Sequence, residues 1–336
     1  LKRDFVSLHS QEYLNKEMPS STRFFQQNFK KFITQEFVTH GVRNSRVYNS
    51  RVCKSLSPIV KIIQSGSYME TLKAVIMGLV QGIAEFLPIS SSGHLVLVDH
   101  YLKNMGKASL WFDVFLHIAT LLVIIVFFWN EFLMLLRGMI KFYKFFNDVE
   151  SKIFWLIVIA TSVTVVVALL METLVSNIVE KNYKLVGVML IINSVILLIP
   201  YLVNNKVSKD LGSINILDSI LIGLFQGVGS LPGISRSGIT ISTGLTMGLE
   251  RTTAGVFSFL LFIPTVIGAF VYETYKSLKT EGISNMGFSS SYLIGFVVAA
   301  TIGYLALWLL MKFLKEGKLY IFSIYSFIVG LLAVIF

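Results

Sequence analysis

Cysteine is nearly absent: Cys53 is the only one in 336 residues. It falls within the first 68, so disulfides and thiolate metal sites are excluded from everything that follows. Charge is scarce as well. Charged residues make up 14% of the chain, against about 25% in soluble domains. With 54% hydrophobic residues and a mean hydropathy of +0.71, an ordinary water-soluble domain is excluded. Residues 1–68 are poor in acids, with four Asp/Glu against eleven Lys/Arg, whereas the remaining 268 hold fifteen against eighteen. The net charge of +10 therefore belongs mostly to an N-terminal extension and not to a binding face, and no nucleic-acid partner is expected. That extension lacks apolar periodicity and a secretory h-region. Its Arg- and Ser-rich composition is one that organellar transit peptides share. Met69, however, stands immediately before the first patterned segment. The preferred expectation is a disordered or non-native extension over 1–68 and a membrane domain over 69–336.

Long apolar sequence is abundant. Runs at 111–129, 153–170 and 185–203, and at about 256–272, 292–311 and 319–336, each approach the ~20 residues that cross a ~30 Å hydrocarbon core. Six spans are expected.

The chain also contains a repeat. "GLVQGIAEFLPISSSG" (78–93) and "GLFQGVGSLPGISRSG" (223–238) share eight of sixteen positions at a constant offset of 145. The identities include Gln81/Gln226, Gly82/Gly227, Ser90/Ser235, Ser92/Ser237 and Gly93/Gly238. Downstream, Phe112, Leu116, Ile118 and Thr120 match Phe257, Leu261, Ile263 and Thr265. This is a duplication, with halves at about 70–203 and 215–336. Each half reads as a short helix, a Pro/Ser/Gly break, a second short segment and three spans. Three is odd, so the second half is expected upside down. The segments 130–147, 204–210 and 312–318 carry excess Lys, whereas 172–184 and 273–281 are balanced. The positive-inside rule then puts the first three in the cytoplasm. The predicted fold is an all-α polytopic membrane protein: an inverted repeat of six transmembrane helices plus two re-entrant helical hairpins.

Gly78, Gln81, Gly82 and Glu85 lie at i, i+3, i+4 and i+7, on one helix face, and Gly223, Gln226, Gly227 and Ser230 repeat it. Glycines admit a second backbone, so the polar side chains project into protein. Pro88 and Pro232 are expected to end these helices. Irregular backbone at this depth must be buried or line a cavity. A carboxylate at bilayer depth costs at least ~2.5 kcal/mol, and a polar pocket between two half-helices is where Glu85 can survive. The pocket suits an anion: serine hydroxyls, glycine-freed N–H groups and helix N-termini favour phosphate, and Arg236 adds a bidentate fork. Glu85 beside such a site implies a divalent cation or proton transfer. Mg²⁺ or Ca²⁺ prefers oxygen ligands, and Gln81 with Glu85 offers two. The assembly fits metal-assisted phosphoryl hydrolysis.

Ser90, Ser92, Ser235 and Ser237 recur in both halves. They read as caps or backbone partners and, with Gly93 and Thr240, as the substrate-binding candidates. Ser91 (opposite Arg236) and His94 (opposite Ile239) break the symmetry, which makes Glu85, Ser91, His94 and Arg236 the catalytic candidates. Arg236 has a structural alternative as a counter-ion of Glu85. His117, mid-span and opposite Phe262, reads as a satisfied core histidine, and Asp113 as a cap.

At these residues the chain resembles the undecaprenyl-pyrophosphate phosphatases of the bacitracin-resistance type. Gln81 and Glu85 in "QGIAE" meet the family's first motif, and Leu87, Pro88, Ser90, Ser91, Gly93 and His94 its continuation. Pro232, Gly233, Ser235, Arg236, Ser237, Gly238 and Thr240 meet its second. Many members carry Glu where this chain has Gln81. The resemblance, from about Met69 to Phe336, implies hydrolysis of undecaprenyl pyrophosphate to the monophosphate, recycling the lipid carrier of cell-wall polymers with resistance to bacitracin. It implies a divalent metal, Mg²⁺ or Ca²⁺, in a multi-pass protein of the bacterial inner membrane with its site facing outward, and leaves room for a homodimer. Ser91 and His94 are both candidate nucleophiles. A second reading is a transporter or flippase for an anionic lipid; phosphate release from a lipid pyrophosphate separates the two.

Overall fold

The first polar helix, Ser67–Phe86 (α1), stops at the Pro/Ser/Gly break, and Ser91–Tyr101 (α2) starts just beyond it. In this computed structural model residues 67–101, 110–180, 182–203, 208–280 and 290–336 are described. The 1–66 part of the extension, Cys53 included, and Lys181, Lys206 and Glu281 lie outside the described residues. The remaining helices of more than four residues are Leu110–Phe127 (α3), Trp129–Ile140 (α4), Val149–Met171 (α5), Tyr183–Val203 (α6), Ile216–Val228 (α7), Arg236–Thr246 (α8), Arg251–Thr280 (α9), Ser290–Lys315 (α10) and Tyr320–Ile335 (α11). A five-residue π turn, Glu172–Ser176, prolongs α5. Among the described residues the only extended pairing is one parallel bridge, Lys209 with Leu249. The protein is an all-α polytopic membrane protein.

Each of the six apolar runs is helical. Four of them, in α5, α6, α9 and α10, are long and apolar enough to cross a bilayer as single helices. The run at 111–129 breaks at Phe128, where α3 and α4 meet at 91°. The last, α11, has 16 residues. Pro200 and Pro264 lie inside α6 and α9, where neighbouring helices can absorb the freed backbone groups.

The segment 130–147, expected as a basic loop, is instead mostly α4. Its Leu135 and Gly138 are buried against the bundle, while Trp129, Met139 and Ile140 are exposed. This is the habit of a helix lying along the membrane surface. Its positive charge is offset by acids just past the segment: Arg137 pairs with Glu150 at 3.2 Å, and Lys141 with Glu150 at 2.6 Å and Asp148 at 3.6 Å. The Glu150 hydrogen bond holds the Lys141 ammonium above the usual lysine range.

Close contacts gather the chain turns into two ends. At one end Lys152 Nζ donates to Gly212 O at 2.6 Å, and the Lys209 backbone exchanges bonds with Gly248 and Glu250. Arg251 Nη1 reaches Lys315 O at 3.1 Å, and the Tyr201 hydroxyl reaches Gly317 O at 2.7 Å. The start of α7 and the end of α8 therefore lie together: this hairpin enters and leaves on one side. At the other end Thr71 meets Ser291, Phe112 packs on Tyr292, His100 stacks on Tyr183 and Tyr183 reaches the Phe336 carbonyl. The start of α1 and the end of α2 belong there.

The glycine face of each polar helix seats a neighbour's backbone. A Cβ on Gly82 would lie 2.8 Å from Ala299 O of α10, and one on Gly223 would lie 2.8 Å from Ala160 Cα of α5. Between α6 and α11, Gly187 and Gly330 approach reciprocally, each within 3 Å of the other's carbonyl oxygen if a Cβ were added.

Candidate active site

The two breaks meet tip to tip. Helix α1 ends at Phe86, two residues before Pro88, whereas α7 ends at Val228 with Gly229 as its cap, so Pro232 follows the stop rather than making it. Ser90 takes φ 72°, a left-handed conformation uncommon outside glycine. This turns its side chain back, so that its Oγ accepts from Gly93 N at 3.2 Å and from Gly233 N of the other tip at 3.1 Å. A Cβ on Gly93 would lie 2.9 Å from Gly233 N and Cα, so glycine is required for this approach. Ser235 caps α8 in the same way, accepting from Gly238 N at 3.1 Å. Ser237 Oγ donates to Phe86 O at 3.2 Å, and Thr240 Oγ1 to Arg236 O at 2.9 Å. Three of the substrate-binding candidates, Ser90, Ser235 and Ser237, are thus engaged in capping and in joining the tips, and Thr240 bonds back within its own helix. Ser92 is exposed, 3.4 Å from Ser90 Oγ, and the Gly93 amide serves the Ser90 cap.

Asn193, fully buried on α6, ties both tips together. Its Nδ2 donates to Pro88 O at 3.0 Å and Ser326 Oγ at 3.2 Å, and its Oδ1 accepts from Ser235 N at 2.9 Å. The sequence reading missed Asn193, although an amide inside the apolar run 185–203 was a signal available in the chain.

Glu85 is buried, and its carboxylate is met by three side chains. Ser91 Oγ donates to Oε2, Gln81 Nε2 donates to Oε2 at 3.0 Å, and His117 Nδ1 lies 3.6 Å from Oε1. Gln81 Nε2 also lies 3.1 Å from His117 Nδ1. An amide nitrogen only donates, so here His117 accepts. The reading of His117 as a core histidine needs revision: its side chain is 36% exposed and touches both Gln81 and Glu85. Arg236 is not Glu85's contact partner. Its guanidinium carbon stands 5.1 Å over the ring of Phe262, the residue that occupies His117's place in the second half. Ser91 and Arg236 are the first residues of α2 and α8, at equivalent helix starts.

His94 lies one turn into α2. Its Nδ1 is 2.8 Å from Ser90 O and its Nε2 is 2.9 Å from the Tyr325 hydroxyl of α11. Nothing in the sequence singled out Tyr325.

Among the described residues no three His, Cys, Asp or Glu side chains group as a metal site. Gln81 Oε1, however, is buried with no hydrogen-bond partner, beside the Glu85 carboxylate. An orphaned amide oxygen next to a buried carboxylate is a donor set that suits a hard divalent cation.

Residues 74–332 match the family described as bacitracin resistance protein BacA. The chain belongs to this family. Among curated relatives, the undecaprenyl-diphosphatase of Caldicellulosiruptor bescii is 36% identical over 261 residues, covering 77% of this chain and 94% of that protein. The undecaprenyl-diphosphatase of Treponema denticola is 38% identical over 268 residues, 78% and 96% of the two chains. That of Methanosphaera stadtmanae is 37% identical over 282 residues, 80% and 98%.

Proposed function

We propose that this BacA-family protein hydrolyses undecaprenyl pyrophosphate to undecaprenyl phosphate and inorganic phosphate, recycling the lipid carrier. The observation that carries the chemistry is the Ser91–Glu85 hydrogen bond at the junction of two broken helices, with Arg236 at the equivalent helix start.

In this reading Ser91 Oγ attacks the terminal phosphorus while its proton passes to Glu85. The bond from that phosphorus to the bridging oxygen breaks, and undecaprenyl phosphate departs with the electron pair. Water then attacks the phosphoserine, freeing inorganic phosphate and restoring the serine hydroxyl. Arg236 holds the non-bridging oxygens with two parallel N–H groups, and the start of α8 adds its partial positive charge. Phe262 beneath the guanidinium keeps its plane fixed. Gln81 and Glu85 would hold a Mg²⁺ or Ca²⁺ ion, which supplies charge neutralisation for the diphosphate. His94 and Ser92 border the same helix start.

The two hairpins open at opposite ends of the bundle, in keeping with an inverted repeat whose tips meet at the midplane. The end that gathers Lys209, Lys315 and Lys318 suits the cytoplasm, and the start of α1 then lies outside. With the isoprenyl tail in lipid and the site reached from the outer face, the protein would work in the bacterial inner membrane.

The test is purified, full-length protein in detergent with undecaprenyl pyrophosphate and Mg²⁺. Inorganic phosphate should appear with wild type and be lost with Glu85→Gln. Transbilayer movement of the lipid without phosphate release would favour the transporter reading instead.

A further inference from the structure

Tyr325 reaches the site from α11, the helix farthest from it in sequence. That helix is locked in rotation against α6: Ser323 Oγ donates to Ser194 O at 2.7 Å, Ser326 Oγ accepts from Asn193, and Gly330 packs on Gly187. Ser323, Ser326, Gly330 and Ala333 are the buried small and polar residues of α11. Tyr325 lies about 100° around the helix from Ser326, beside that seam, with its ring 5.7 Å from His94 at 12° between planes.

The hydrogen bonds then dictate a tautomer. A carbonyl oxygen only accepts, so the 2.8 Å contact with Ser90 O requires the proton on His94 Nδ1. In the neutral ring Nε2 carries the lone pair, and the Tyr325 hydroxyl donates to it at 2.9 Å. Ser90 is itself fixed by its left-handed backbone and its two cap bonds.

We propose that Tyr325 is a positioning residue for His94: the Ser90 carbonyl sets the Nδ1–H tautomer, and the Tyr325 hydroxyl fixes the ring's orientation and covers Nε2 in the resting enzyme. Both ring nitrogens are thereby committed, and Ser91 is left as the nucleophile. A protonated phosphate oxygen of the seated substrate replaces the phenol by donating its P–O–H to Nε2, so His94 takes a proton from the substrate only once substrate is seated. The proposal rests on the phosphatase reading for its kinetic consequence, but not for the tautomer.

Tyr325→Phe keeps the stacked ring and removes only the hydroxyl. With ¹⁵N-histidine-labelled full-length protein in detergent, wild type should show His94 as a single Nδ1–H tautomer, assigned by its loss in His94→Gln. Tyr325→Phe should keep that tautomer but shift the His94 Nε2 resonance, which loses its hydrogen-bond donor, and kcat on undecaprenyl pyrophosphate should fall at least tenfold with KM changed less than threefold. An unchanged His94 spectrum in Tyr325→Phe overturns the proposal, whatever happens to kcat. So does an altered spectrum with wild-type kcat. If wild type releases no phosphate while the spectra change as expected, the phosphatase reading fails and the positioning of His94 stands.

Discussion

The Ser91 hydroxyl donates to Glu85 Oε2 across the break between α1 and α2. A helix end and the next helix start, separated by four residues, thus place a hydroxyl nucleophile against its base. Because the hydroxyl matters mainly in the transition state, Ser91→Ala should lower kcat by roughly a thousandfold or more and leave KM within about threefold. Ser92→Ala removes an exposed hydroxyl and should act mildly. A Ser91→Ala variant with near-wild-type turnover would move the attack to His94.

Arg236 stacks on Phe262 instead of pairing with Glu85. A counter-ion would be replaceable by any cation, whereas a bidentate fork would not. Arg236→Lys keeps the charge but loses the planar geometry, and kcat/KM should drop by about a hundredfold. Near-normal kcat/KM in the lysine variant would return Arg236 to a purely electrostatic role.

Much of this was legible in the chain because the repeat carried it. The bounds of α2 and α8, Ser91–Tyr101 and Arg236–Thr246, differ by the same 145 residues as the motif identities. Ser91 and Arg236 were marked by departing from that symmetry. Three features were not legible. His117 was discounted because a lone histidine in an apolar run has no sequence partner; its partners, Gln81 and Glu85, lie 36 and 32 positions earlier on another helix. Tyr325 contacts His94 from 231 residues away, and no local pattern encodes such a meeting. The separate helix α4 was hidden because the apolar run at 111–129 contains no breaker at Phe128, where the chain turns by 91°.

Gln81 Oε1 is buried without a partner while its amide nitrogen contacts Glu85 at 3.0 Å. Gln81→Glu would set two carboxylates side by side, which repel unless a cation lies between them. In metal-free buffer the variant should unfold at a lower temperature than wild type. Adding Mg²⁺ or Ca²⁺ should raise its Tm more than it raises the wild-type Tm, and half-maximal activity should need about tenfold less metal. Thermal scans with and without chelator, alongside a metal titration of phosphate release, read both effects. Equal metal responses in the two proteins would remove this pair from the cation site.

The contacts at the two ends of the bundle bear on topology independently of charge counting. Gly212, just before α7, is held by Lys152 at one end, whereas Thr71, near the start of α1, meets Ser291 at the other. Inversion of the halves therefore requires these two equivalent hairpin entrances to face opposite compartments. Single cysteines at 212 and 71, in a background with Cys53 replaced, should react with a membrane-impermeant maleimide from opposite sides. Lys144, on the exposed turn after α4, should follow 212, because Lys152 follows it at the start of α5 and Lys141 pairs there with Glu150. Lys184, exposed at the start of α6 beside Tyr183, should follow 71, since Tyr183 stacks on the end of α2. The chain crosses once between 144 and 184, so that pair calibrates the assay. Labelling of 212 and 71 from the same side, with 144 and 184 still opposed, would leave the helices in place but rule out an inverted repeat.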